Sequence, residues 1–175
     1  MVQLVPDMSA EALLFEDLVT RPEFQSLPYK VETNSDGQII MSPHLNSHSA
    51  FQRAIERHLE SCMSRSGVAL QEFAIRTKDG VKVPDVVWLT PEELAAARDV
   101  SITSKAPQIC VEVRSKGNSA REIDEKAQLY FARGAKEVWE CDLEGKVTFQ
   151  NAEDGPLNRS NLCPSFPKTI DPFTI

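Results

Sequence analysis

Two charged residues interrupt a segment that is otherwise typical of a buried strand. Glu112 and Arg114 lie two positions apart within residues 108–114, whose remaining residues are mostly apolar, as in a central strand covered on both faces. Residues two apart on a strand point to the same face. Because burying a charge is costly unless it is paired or binds a metal, these two residues need an explanation.

A third charged residue, Asp85, follows a proline and opens the preceding predicted strand, residues 85–89. A carboxylate at that place can reach the end of a neighbouring strand, and two carboxylates on adjacent strands can hold a hard divalent cation such as Mg²⁺. A cation beside a basic residue at position 114 could bind a scissile phosphate and activate water. The alternative is a structural ion pair, Glu112–Arg114 or Asp85–Arg114, without further function.

The elements that position these residues follow from hydrophobic periodicity and turn chemistry. Helices are predicted over residues 9–19, from 46 or 47 to Gly67, over 91–98 and over 120–133. Strands are predicted over residues 29–33, 38–42, 68–76, 85–89, 108–114, 137–142 and 146–150. This order predicts an α/β (α+β) fold with a mixed central sheet flanked by helices, preceded by an N-terminal helix and hairpin.

The length of 175 residues fits a single domain over 1–175, with a core over about 28–150 and an irregular C-terminal segment over 151–175. The net charge of −7 would argue against nucleic acid if it were evenly spread, but the ends are acidic and the middle is mildly basic. No apolar run is long enough for a membrane span. The N-terminus lacks a secretory signal pattern, so the four unpaired cysteines favour a cytoplasmic location.

Six stretches occur in an order that resembles the Uma-type putative restriction endonuclease family, a branch of the PD-(D/E)XK nuclease superfamily. The likeness covers about residues 28–172. The stretches are the hairpin with Glu32 and residues 36–43 followed by His48, then 83–89, 107–115, Glu125 to Gly134 with Lys126 and Tyr130, 137–142, and 162–167.

The resemblance implies a restriction-endonuclease-like core and hydrolysis of DNA phosphodiester bonds with Mg²⁺ or Mn²⁺. Asp85 takes the place of the motif aspartate, Glu112 that of the motif acidic residue, and the carbonyl of Val113 that of a further metal ligand. The chain departs from the superfamily at Arg114, where a lysine is usual. Arginine keeps the charge and can clamp a phosphate, but it cannot accept a proton.

Members of the resembling family also carry a lysine on the following helix, and Lys126 matches that position. It lies about 60° from Ile123 at 100° per residue, at the edge of the predicted inward face. From there its stem could reach across the sheet. The alternative is a surface ion pair between Glu122 and Lys126 at i, i+4.

Several other residues are candidates for the same site. Glu32 is either a third acidic group near the metal or a solvated hairpin residue. His44 and His48 could be two zinc ligands, but no third ligand follows at a suitable spacing. For His48, packing of the helix or a contact with a phosphate is the better interpretation. Contacts to the DNA backbone, or simply solvated faces, are expected at Lys116, Arg121, Arg53 and Arg57.

Two hypotheses of function follow. The first is a magnesium-dependent endonuclease acting on DNA, as a homodimer because cleavage of both strands needs two active sites. The second is a catalytically weak or inactive protein of the same fold that binds nucleic acid or protein, which Arg114 and the acidic net charge favour. Neither hypothesis involves a membrane.

Overall fold

The computed structural model describes residues 10–25, 29–43, 45–63, 67–115, 117 and 119–173. The helices are α1 (Ala10–Thr20), α2 (Pro22–Gln25), α3 (Asn46–Met63), α4 (Pro91–Ala97) and α5 (Ala120–Phe131). The strands are β1 (Tyr29–Thr33), β2 (Ile39–Pro43), β3 (Val68–Gln71), β4 (Ile75–Thr77), β5 (Gly80–Lys82), β6 (Val86–Leu89), β7 (Ile109–Val113), β8 (Glu137–Cys141), β9 (Val147–Asn151) and β10 (Gly155–Leu157).

The centre of the molecule is a six-stranded mixed sheet in the order β10-β9-β8-β7-β6-β3. Strands β7 and β8 are parallel, and the other neighbouring pairs are antiparallel. β1 pairs with β2 and β4 pairs with β5 in two separate hairpins. The predicted α+β fold with a mixed central sheet flanked by helices is therefore confirmed.

The two faces of the sheet are covered by different helices. The apolar stripe of α3, with Ile55 and Leu59, packs on one face against Trp88 and Val111. On the opposite face α5 packs against Cys110 and its neighbours. Side chains alternate along a strand, so Glu112 points to the α5 face. Because of this alternation, α5 and not α3 lies on the side of the sheet where Glu112 emerges.

Three features of the strands differ from the prediction. Strand β5 lies outside every predicted strand. The predicted strand over 68–76 is divided into β3 and β4, because Glu72 has a positive φ of 55° that a continuing strand does not adopt. The C-terminal segment, predicted to be irregular, contains β10, which pairs with β9 across a turn at residues 152–154. None of the helices in the described ranges is long and apolar enough to cross a membrane.

A buried carboxylate ties the C-terminal segment to the sheet. Glu137 is buried in β8 and accepts hydrogen bonds from the backbone N–H of Asn161 at 2.7 Å, that of Leu162 at 3.0 Å and the indole N–H of Trp139 at 2.7 Å. Three donors are therefore satisfied by one side chain.

Glu137→Ala is expected to lower the free energy of unfolding by about 3 kcal/mol or more, because each buried donor left unpaired costs about 1–3 kcal/mol. Urea denaturation followed by tryptophan fluorescence measures the loss. The exposed carboxylate of Glu144 supplies the control: Glu144→Ala should stay within about 0.5 kcal/mol of wild type. Equal, small effects of both substitutions would show that Glu137 does not anchor the segment.

Candidate active site

A cavity of about 590 Å³ opens where β6 and β7 meet the β1–β2 hairpin, the start of α3 and the first turns of α5. Charged and polar side chains from all of these elements line it, among them Lys30, Glu32, His48, Asp85, Glu112 and Lys126. Five of the predicted catalytic and accessory residues line this cavity, namely Asp85, Glu112, Lys126, Glu32 and His48. Arg114 is also a predicted catalytic residue, but it does not line the cavity.

Asp85 is fully buried at the start of β6. Its Oδ2 accepts the backbone N–H of Val113 at 2.7 Å. Its Oδ1 lies 2.7 Å from Lys30 Nζ and 3.0 Å from His48 Nε2, with Gln52 Nε2 at 3.4 Å. Burial alone would raise the pKa of Asp85, but the charge of Lys30 and the hydrogen bond from His48 outweigh it and hold this pKa below its usual value.

Glu112 is buried in β7 and points to the α5 face. Its Oε1 accepts the hydroxyl of Tyr130 at 2.5 Å, and its two carboxylate oxygens lie 3.2 and 3.3 Å from Lys126 Nζ. Lys30 Nζ is 3.7 Å from Oε2. Burial raises the pKa of Glu112 despite the two ammonium groups, and the charge of Asp85 acts in the same direction. The two carboxylates therefore have opposite shifts.

Lys126 reaches the site from the second turn of α5. Ser119 caps this helix, and its hydroxyl and backbone N–H bind Glu122 in a capping box. The Glu122 carboxylate thus binds Ser119 at the start of the helix. Lys126 Nζ lies 2.8 Å from Glu32 and 3.2 Å from Glu112. Burial would lower the pKa of Lys126, but Glu112 and Glu32 outweigh it and raise this pKa. The geometry is that of a lysine crossing toward the sheet, not of a surface Glu122–Lys126 pair.

Glu32 lies on β1 and is buried, so the alternative of a solvated hairpin residue is wrong. Its Oε1 accepts the backbone N–H of Val83 at 2.7 Å and binds the Lys126 ammonium. Burial would raise the pKa of Glu32, but Lys126 and Lys30 outweigh it and lower this pKa. Glu32 thus stands beside the two motif carboxylates as a third negative charge.

Arg114 forms an ion pair with Glu140 on the neighbouring strand β8. Glu140 is the register partner of Glu112, so it presents a carboxylate directly beside the place where Arg114 emerges. A third of the Arg114 side chain is exposed. Of the two ion pairs considered as structural alternatives, neither is formed, since Arg114 turns to Glu140 instead of Glu112 or Asp85. The role of Arg114 stays a prediction.

The candidate DNA contacts lie outside the cavity where the structure describes them. Arg53 pairs with Glu56 at 3.0 Å on α3, and Arg57 is exposed on the same helix. Arg121 is exposed at the start of α5 and pairs with Glu125 at 2.8 Å. Lys116, like His44, lies outside the described residues. Their contacts with DNA stay predictions.

Residues 21–155 match the family model Uma2, described as putative restriction endonuclease. The matched range contains β1, α3, α5 and the two neighbouring strands β6 and β7.

The chain belongs to the Uma2 family.

Among solved structures, the chain is similar to a putative nuclease belonging to DUF820 from Anabaena variabilis ATCC 29413. The two share 22% sequence identity with a TM-score of 0.63, over 77% of this chain and 80% of that chain. This likeness shows that the fold is shared. A search of the curated proteins finds no match to this chain.

Lys30, whose ammonium contacts both Asp85 and Glu112 in this Uma2 protein, is not among the predicted site residues. It precedes Glu32 by two positions on β1, so the two side chains share a face. The same spacing drew attention to Glu112 and Arg114, and it could have identified Lys30 as well. Tyr130 was part of the family pattern, but its hydroxyl bond to Glu112 could not be inferred from spacing.

Proposed function

We propose that this Uma2 protein is a divalent-metal-dependent endonuclease that hydrolyses phosphodiester bonds in DNA. The observation that carries the proposal is the buried pair Asp85 and Glu112, held by neighbouring strands on either side of one ammonium group, Lys30 Nζ. Two carboxylates so placed are suited to share one cation.

The donor chemistry of the cavity fits Mg²⁺ or Mn²⁺. The carboxylates of Asp85 and Glu112 and the carbonyl of Val113 would supply hard oxygen ligands, and Mg²⁺ is commonly held by one or two carboxylates with water and substrate phosphate. Within the described residues, no group of three or more His, Cys, Asp and Glu side chains forms a metal-binding cluster. Two carboxylates and one carbonyl would leave the other positions of an octahedral cation to water and phosphate.

When bound, the cation would polarise the scissile phosphate and make water more acidic. The residues of the chain supply the remaining functions. Lys126 places a positive charge next to Glu112, where it would stabilise charge that develops on the phosphate. His48 keeps the Asp85 carboxylate oriented through a 3.0 Å contact. Arg114, at the superfamily's lysine position, would clamp a phosphate from the side of β8.

Incubation of the purified protein with supercoiled plasmid tests the proposal. Nicked or linear DNA is expected with Mg²⁺ or Mn²⁺ present and is expected to be absent with EDTA. Glu112→Ala serves as the control for contaminating nucleases, because it removes one of the two proposed metal ligands. Equal cleavage by Glu112→Ala would contradict the proposal, as would no cleavage of DNA by a wild-type protein that binds the metal.

A second candidate function is that of a catalytically weak or inactive nuclease-fold protein that binds nucleic acid or protein. The ion pair between Arg114 and Glu140 favours it, since the only motif position that departs from the superfamily is occupied by a side chain engaged elsewhere. Gel-shift measurements with a labelled DNA fragment separate the two functions. Binding without cleavage at any metal concentration would support the second.

We also propose that the protein is a homodimer in the cytoplasm. Among the described strands, β2 pairs only with β1, and its residues Ile39, Ile40 and Met41 are about 40% exposed. An apolar edge strand of this kind is a template for pairing with another chain. Light scattering coupled to size-exclusion chromatography gives the oligomeric state.

A further inference from the structure

The ammonium group of Lys30 lies between the two motif carboxylates. Lys30 Nζ is 2.7 Å from Asp85 Oδ1 and 3.7 Å from Glu112 Oε2, and the side chain is 11% exposed. A cation shared by the two carboxylates would need the same space. Lys30 thus fills, in this structure, the position that the proposed function gives to a metal ion.

The charges around the cavity explain why the Lys30 ammonium lies between the two carboxylates. Three buried carboxylates, Asp85, Glu112 and Glu32, face two ammonium groups, Lys30 and Lys126. Buried carboxylates without a counter-ion carry a large desolvation penalty. A positive charge between Asp85 and Glu112 therefore stabilises the fold of the metal-free protein.

We propose that Lys30 is an exchangeable counter-ion, which occupies the cation position in the metal-free protein and leaves it when a divalent cation binds. This inference rests on the proposed function. With Lys30 withdrawn, three carboxylates and Lys126 leave a formal charge of −2, which one divalent cation neutralises. With Lys30 retained, the ammonium would lie against the cation and repel it.

The exchange is sterically possible because Lys30 lines the open cavity. Its stem extends from β1, in the hairpin that forms one wall of the cavity, and rotation about the side-chain bonds would carry the ammonium away from the carboxylates. A displaced Lys30 would then stand where a DNA phosphate enters. The same lysine would therefore stabilise the empty site and afterwards face the substrate.

Two neutral variants test the inference through metal binding alone. Lys30→Met removes the ammonium and keeps the bulk of the stem, and Lys30→Gln retains a donor for Asp85 in case the first variant does not fold. Isothermal titration with MnCl₂ and MgCl₂, without DNA, measures the Kd. Both variants are expected to bind the metal about tenfold more tightly than wild type or better, because no ion pair must be broken first.

Lys82→Met is the matched control. Lys82 is also buried and lines the same cavity, but its ammonium binds Asp79 and the carbonyl of Thr33. It should change the Kd less than Lys30→Met does, because its ammonium pairs with Asp79 and not with Asp85 or Glu112. The metal-free Lys30 variants should also melt at a lower temperature than wild type, and a saturating metal concentration should restore more of this loss than in Lys82→Met.

The outcomes separate this inference from the proposed function. If wild type binds the metal and both Lys30 variants bind equally or more weakly, the exchange is overturned while the metal site stands. If neither wild type nor any variant binds Mn²⁺ or Mg²⁺ at millimolar concentration, the metal site itself fails, and the inference fails with it. Tighter binding by the Lys30 variants alone supports the exchange.

Discussion

Glu112→Gln and Asp85→Asn are both expected to abolish metal-dependent cleavage, yet to change the stability of the metal-free protein in opposite directions. Glu112→Gln should leave the unfolding free energy unchanged or higher, whereas Asp85→Asn should lower it. The reason is the opposite environment of the two carboxylates. A raised pKa means that the fold disfavours the charged form, and a lowered pKa means that the fold favours it.

For Glu112, burial raises the pKa, so the folded state gains when the charge is removed. Glutamine retains an acceptor for the Tyr130 hydroxyl, which donates at 2.5 Å to Oε1. Lys126 keeps its second carboxylate partner, Glu32, at 2.8 Å. No buried cation is therefore left without a partner in this variant.

For Asp85, the pKa lies below its usual value, so the charged form is the one that the fold stabilises. Asparagine weakens the contacts with Lys30 Nζ at 2.7 Å and His48 Nε2 at 3.0 Å. Removing one partner of a buried ion pair costs about 3–5 kcal/mol, and we expect a loss of that order. Chemical denaturation without metal, together with plasmid cleavage, measures both properties.

A large loss of stability in Glu112→Gln would contradict this account. It would identify Glu112 as half of a structural ion pair with Lys126, and the loss of cleavage would then follow from unfolding. An Asp85→Asn variant as stable as wild type would show that Lys30 is satisfied elsewhere.

The sequence was informative about the helices and strands and about which of their side chains share a face. The capping box of Ser119 and Glu122 predicted where α5 begins, and this register gives Lys126 its direction toward the sheet. The spacing of Glu112 and Arg114 predicted that the two side chains emerge on one face of the strand. Both inferences depend on residues close together in the chain, for which periodicity is a sufficient guide.

The contacts that sequence reasoning did not supply join distant parts of the chain. Glu140 forms an ion pair with Arg114. The two residues are close because β7 and β8 are parallel and their register places Glu112 beside Glu140. Lys30 reaches Asp85 because the β1–β2 hairpin, 55 residues away, folds over the end of β6. Strand register and hairpin placement are set by tertiary packing, which local spacing does not encode.

Lys126→Met is expected to reduce plasmid cleavage by about 10²- to 10⁴-fold, the range observed when a charge or proton carrier at the reacting group is removed. Methionine keeps the stem and removes the ammonium that lies between Glu32 and Glu112. The affinity for Mn²⁺ should not fall, because the carboxylates lose a cation and not a ligand. Cleavage rates at saturating metal, with titration calorimetry for the Kd, separate the two effects.

Two further substitutions serve as controls for this prediction. Lys136→Met removes an exposed lysine and should cleave at the wild-type rate. Arg114→Lys should also retain activity, because it restores the superfamily residue and can still pair with Glu140. The opposite pattern, an active Lys126→Met beside an inactive Arg114→Lys, would assign the phosphate contact to the guanidinium of Arg114. In that case the ammonium of Lys126 serves only to balance the charge of Glu32 and Glu112, and the helix lysine has no part in the reaction.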